Sequence, residues 1–345
     1  MRWADEPGRC YSRASVLLAL VGIVAAAGAA AHHNSSGTYD FKSTLTVDAT
    51  VTQVNWTNPH VYLFVNVADA EGRPVRWEVQ AGGVGTLSRS GWTKDRFAIG
   101  SRLALTGHPS VRGEPAMLLV RAAAGAEATS TRIISAAAQR DPEQTASSLD
   151  GVWWTLLDSE QSVASFFPAP LQLTAKGRDV REGFDDKTEF PGLDCVPFIA
   201  PFSMILADLK RVHIEADRVR IVSEYDGEER IIWLRDDAPA APAGLHGAAT
   251  GRLTDNVLEA VTTNFAEHRV GNGWGLTSGP NRRLWERFAL AADGKSLHYS
   301  FELSDPDYLA QPLRGDWTLV PRQDLTLTTT GCDLASAQRY LGHRP

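Results

Sequence analysis

Short runs in which apolar and polar residues alternate, separated by turn-forming residues, constrain this chain more than any other feature. Leu45-Thr-Val-Asp-Ala-Thr-Val-Thr-Gln-Val54 alternates along its whole length. A period of two puts successive side chains on opposite faces of a strand, and β-branched residues suit a pleated surface. The turn Asn55-Trp-Thr-Asn-Pro-His60 follows, then the β-rich run Val61–Val67. In Arg73–Gln80, Val75, Trp77 and Val79 share one face, and Arg102–Gly107 and Met117–Arg121 supply further strands. Thr86–Trp92 predicts a short helix stopped by Gly91. Roughly five short strands with one helical insert over residues 38–122 point to a small, partly open barrel of the OB type, with a short sandwich as the alternative.

Residues 150–342 repeat the alternating pattern. Arg211–Glu215 and Arg218–Tyr225 alternate, and Asp226-Gly227 is a hairpin signal before Arg230–Leu234. Val257–Thr263, Leu284–Leu290, Leu297–Leu303 and Trp317–Val320 follow, with Asp293-Gly294 joining the middle pair. Hairpins in succession predict an up-and-down antiparallel sheet, curled or closed as a barrel. Helices are expected only at Ala200–Leu209 and at Asp333–Leu341, behind an Asp333 cap. Residues 123–149, rich in Ala, Ser, Thr, Gln and Glu, read as a linker. The fold class is therefore all-β, with an OB-like barrel followed by a larger antiparallel β domain and few short helices.

The N-terminus reads as an export signal over residues 1–31. Arg2, Arg9 and Arg13 precede the apolar run Val16–Val24, and small residues lead to Ala29-Ala30-Ala31. That run is shorter than the about 20 residues of a membrane span, so no stable span is expected after cleavage. The expected destination is the periplasm or the exterior, where disulfides form. Cys10 would leave with the signal, and the remaining pair, Cys195 and Cys332, predicts one disulfide. The formal net charge of -7 argues against nucleic acid and anionic membrane surfaces, both of which want clustered Lys and Arg.

Several stretches together resemble an exported bacterial family catalogued as domain of unknown function 6152. They are Ala31-His-His, Tyr39-Asp40, Val54–His60, Trp77-Glu78, Leu87, Arg89, Gly91-Trp92-Thr93, Gly100 and Gly107-His-Pro109. The family pattern has Ser directly after the two histidines, whereas here Asn34 intervenes before Ser35. Cys195-Val-Pro197 resembles a Cys-x-Pro near the start of a longer segment in some relatives. Where those relatives have a Gly-Arg-Trp-Glu-Gly stretch, this chain has Gly251-Arg-Leu-Thr-Asp255. The resemblance implies export and β architecture, and it implies no reaction.

The sharpest chemical feature is His32-His33 at the cleavage point. Cleavage after Ala31 would give His32 a free α-amine, which titrates near about 8 in model peptides, beside its imidazole. Cleavage after Ala30 would put a histidine second and third, which also suits Cu(II). His60 and His108 are the candidate folded ligands for such a copper site. Trp56, His60, Trp92 and Trp274 are candidate ligand contacts. Trp274 lies in the glycine-rich stretch Gly271–Pro280, expected as a mobile loop over a barrel mouth. The acids at Glu224, Asp226, Glu228 and Glu229 flank a hairpin, where solvated charge is expected. His246, His268 and Asp255 around a serine would make a hydrolytic site if the fold gathered them.

The leading functional reading is a non-catalytic binding or accessory protein of the cell envelope. Its partner would be a small molecule or another envelope protein, with the larger barrel lipocalin-like in shape. A copper-binding protein using His32 is one alternative. An enzyme with a pocket in the C-terminal β domain is another.

Overall fold

The computed structural model describes residues 38–124, 131–132, 144–156, 171–185, 188–189, 191–206, 208–225, 227–235, 242–273 and 275–339. The first barrel is built from β1 (Leu45–Asn55), β2 (Tyr62–Ala68), β3 (Pro74–Gln80), β4 (Arg102–Pro109) and β5 (Ala116–Ala124). The strands run β3-β2-β1-β4-β5, and a parallel β3–β5 pairing closes the ring. With helix α1 (Val84–Arg89) inserted between β3 and β4, this is the OB arrangement. The alternation explains its interior. Val51, Val65, Val79, Leu105 and Leu119 point inward and meet Leu87, Trp92 and Phe97 from the α1 region.

The second barrel closes with nine strands. They are β7 (Gly151–Thr155), β8 (Leu209–Ile214), β9 (Arg218–Ser223), β10 (Glu229–Trp233), β11 (Ala248–Thr254), β12 (Val257–Thr263), β13 (Arg283–Leu290), β14 (Leu297–Ser304) and β15 (Leu313–Pro321). Neighbours are antiparallel except β10 and β11, which pair in parallel. On β14, Leu297, Tyr299, Phe301 and Leu303 face the core. Arg230 and Glu286 occupy inward positions in phase with Ile232, Leu284 and Phe288.

The structure departs from the sequence reading at five places. Strand β7 is buried throughout and joins β15 to β8; its residues Gly-Val-Trp-Trp-Thr show no alternation. Helix α2 (Ala175–Gly183) is capped by Thr174, whose hydroxyl accepts from the Gly177 N–H at 3.0 Å. The predicted helix Ala200–Leu209 shrinks to α3 (Phe202–Ile205), because Leu209 begins β8. The expected linker contains β6 (Thr131–Arg132), which pairs with β5, and it ends in an anchored stretch: Ala146 donates to Gly294 and Leu149 is buried. Finally, the lipocalin-like chamber is occupied at one end. Leu193, Phe198, Ile199, Phe202 and Ile205 pack with the barrel core, and Thr155 Oγ1 donates to the Met204 carbonyl at 2.8 Å.

The chain then returns to the first barrel as a strap ending in α4 (Leu334–Gln338), which Asp333 caps by accepting from the Ser336 N–H at 2.7 Å. Cys332 of the strap is bonded to Cys195, as the cysteine count predicts.

Candidate ligand-binding site

The strap lands on the turn between β1 and β2. Asn58 works in three directions there. Its Oδ1 accepts from the Val84 N–H at 3.0 Å, holding the start of α1. Its Nδ2 donates to the Thr330 carbonyl at 3.0 Å, and its own carbonyl accepts from the Asp333 N–H at 2.8 Å. The Ser336 hydroxyl donates to the His60 carbonyl at 2.6 Å. A buried ion pair ties the barrels together beside this contact. Arg89 Nη1 meets both Glu224 oxygens, at 2.7 and 2.6 Å, and the Thr328 N–H adds a second donor at 2.9 Å. Gly85 makes room for it, since a Cβ there would lie 2.7 Å from Glu224 Oε1. Glu224 is therefore a buried joint between the barrels, and the expectation of solvated charge fails for it.

Next to the strap lies an open groove of about 520 Å³. Its floor comes from Phe64 on β2 and Arg76, Trp77 and Glu78 on β3, and its sides from Glu114–Ala116 and Arg339. Strands β2 and β3 and the β4–β5 turn are where OB barrels present ligands. Two guanidinium groups flank the Phe64 ring, Arg76 at 4.6 Å and Arg339 at 5.1 Å from its centroid. Arg339 also reaches Glu78 at 3.4 Å, and Glu114 pairs with Arg112 at 3.1 Å. The N-terminal barrel thus presents the groove, and the strap of the C-terminal region supplies one wall.

The candidate residues fall elsewhere. Trp92 is 1% exposed and stacks on Phe97 at 4.7 Å, so it is core rather than a ligand platform. Trp56 leans on the same core, 6.0 Å from Phe97. His108 Nδ1 is bonded to the Ser43 carbonyl at 2.8 Å, and its ring packs on Phe41. His60 precedes β2 while His108 lies on β4, strands that are not neighbours in the barrel. Among the described residues, no three of His, Cys, Asp and Glu gather as a metal site. His32, His33 and Trp274 lie outside the described residues. The stretch 271–280 is not a free lid: Asn272, Leu276 and Ser278 are fully buried, and Ser278 exchanges both backbone hydrogen bonds with His268. Asp255 sits in the β11–β12 turn, whereas His246 precedes β11. A strand of that length sets them about 20 Å apart. The residues missed were Phe64, Arg76, Trp77 and Arg339. Trp77 was legible as one face of a strand; which face becomes a groove was not.

An OB-type barrel clamped to a plugged nine-stranded barrel defines the class of all-β, two-barrel proteins. Residues 20–118 match the model of a family of unknown function (DUF6152), the same region that carries the resemblance. No curated protein matches the chain. Within the match lie Asn58, Trp77, Glu78 and Arg89, so the matched region holds both the groove floor and the docking contacts of the strap.

Proposed function

We propose that this is an exported, non-catalytic ligand-binding or accessory protein of the cell envelope, and that its OB-type barrel takes a short neutral glycan. The observation that carries this reading is the groove. Phe64 forms its apolar floor beneath Arg76 and Arg339, and Arg76, Arg339, Glu78 and Glu114 ring it with donors and acceptors. Two cations and two anions balance on that rim, which favours a polyhydroxylated ligand without net charge over an anion. The groove is open rather than enclosed, as a chain-like ligand requires. The export signal read in residues 1–31 would bring such a protein beside cell-wall and surface polysaccharides.

The test is isothermal titration of the full mature chain with soluble neutral cell-wall glycan fragments. Binding that is abolished in Arg76→Ala, with an unchanged circular dichroism spectrum, supports the reading. No heat with any fragment, or equal binding by Arg76→Ala, overturns it.

A further inference from the structure

The plugged end of the second barrel holds a polar cluster that the glycan reading does not use. Most of its acids are fully engaged. Glu286 takes a two-pronged contact from Arg230 and accepts from Tyr299 at 2.8 Å. Asp305 accepts from Asn272 Nδ2 at 2.7 Å, the Gly279 N–H at 2.8 Å and the Asp307 N–H at 3.2 Å. Asp208 binds Lys210, the Ser223 hydroxyl and the Tyr225 N–H. The surplus is in donors.

Arg282 is the clearest case. It is 1% exposed and lies 4.1 Å over the Phe265 ring. Its Nε donates to Asn272 Oδ1 at 3.3 Å and its Nη2 to the Ala200 carbonyl. Among the described residues its Nη1 has no partner, and the Ser278 hydroxyl, fully buried, has none either. Asp305 reaches Arg282 only through Asn272. Unpaired, a buried guanidinium is costly, and burial pushes its pKa down to about 9.

His268 stands beside them. Its Nδ1 accepts from the Val270 N–H at 3.1 Å, so the neutral ring carries its proton on Nε2. The Pro197 carbonyl lies beside the ring, and among the described residues Nε2 has no hydrogen-bond partner. Gly271 shows how tightly the group is gathered: a Cβ there would lie 2.1 Å from Ser278 Oγ and 3.1 Å from His268 Cβ. Burial and the Arg282 charge lower the His268 pKa to about 4, so at neutral pH it adds a donor without adding charge.

We infer that this end of the barrel binds one small carboxylate, with Arg282 Nη1 as the charged donor and Ser278 Oγ and His268 Nε2 as neutral ones. Glu286 and Asp305 act on Arg282 by charge but neither ion-pairs with it among the described residues, so one unpartnered guanidinium nitrogen, with Phe265 and Leu276 buried nearby, matches a monoanion and not a dianion such as phosphate.

The test uses the full chain, exhaustively dialysed against chloride buffer at pH 7. Acetate, acetamide and inorganic phosphate are titrated at matched ionic strength, with thermal melting and calorimetry as readouts. Saturable stabilisation by acetate alone is expected, weakened at least tenfold in Arg282→Gln and in Ser278→Ala. The second variant removes only a hydroxyl and keeps the test open if the first fails to fold. A response to acetate no larger than to chloride overturns the inference. So does acetamide or phosphate binding as well as acetate, or an unaltered response in Ser278→Ala.

Discussion

Breaking the Cys195–Cys332 bond should cost the protein a large share of its stability. The two cysteines are 137 residues apart in sequence, so the bond closes a loop that contains strands β8–β15. In the chain-entropy treatment, a loop of that size removes about 17 cal/mol/K from the unfolded ensemble, or about 5 kcal/mol at 25 °C. The native strap keeps other anchors, namely the Thr328, Thr330, Asp333 and Ser336 hydrogen bonds, so the folded form of Cys332→Ser should retain its shape. The assay is urea unfolding of wild type against the Cys195→Ser/Cys332→Ser double variant, followed by tryptophan fluorescence. With a denaturant slope of about 2 kcal/mol/M, the midpoint should fall by about 2.5 M. A fall below about 0.5 M would mean that the unfolded chain is already constrained, and the loop-entropy reasoning would be refuted.

Arg89→Ala leaves Glu224 buried without its counter-charge, and urea unfolding should show a loss of about 3–5 kcal/mol. Arg89→Lys should recover only part, because an ammonium loses the planar guanidinium's contact over the Trp154 ring at 5.5 Å. His268 has a folded pKa of about 4 against an ordinary 6.5, so between these values the unfolded chain binds a proton that the folded chain does not. Stability should therefore fall as pH drops from about 6.5 to about 4, and His268→Gln should flatten that part of the profile. Asp324, held down to about 2 by Arg322 and Gln144, acts in the same direction at lower pH: its contribution is present above the ordinary carboxylate pKa of 3.8 and is lost as pH falls toward 2. Arg339→Ala should weaken glycan binding several-fold without changing the urea midpoint, since Arg339 is partly exposed and meets Glu78 at 3.4 Å.

Much of the architecture can be read without coordinates. Leu45–Val54, Arg218–Tyr225 and Leu297–Leu303 form strands where the alternation places them, because only a period of two can bury one face and wet the other. The inward charges Arg230 and Glu286, in phase with Ile232, Leu284 and Phe288, came only with the structure. Strand β7 was hidden because both its faces are covered, which erases the alternation. The predicted Ala200–Leu209 helix failed because pairing with β7 and β9 outweighs local propensity once Leu209 and Lys210 enter the sheet.

By itself the sequence determined the all-β class, the OB strand pattern, the cysteine pair and the motif Asn58-Pro59-His60, all of which depend on neighbours within a few residues or on counting. Only the tertiary structure decided what those residues do. Asn58 holds the start of a helix and a strap that arrives from residue 330, Arg89 finds Glu224, and Phe64 meets Arg76 and Arg339 at a groove. The physical reason is that periodicity reports which face of an element is buried. Which distant side chain covers that face, or leaves it open, is settled when the two barrels close and the strap returns across them.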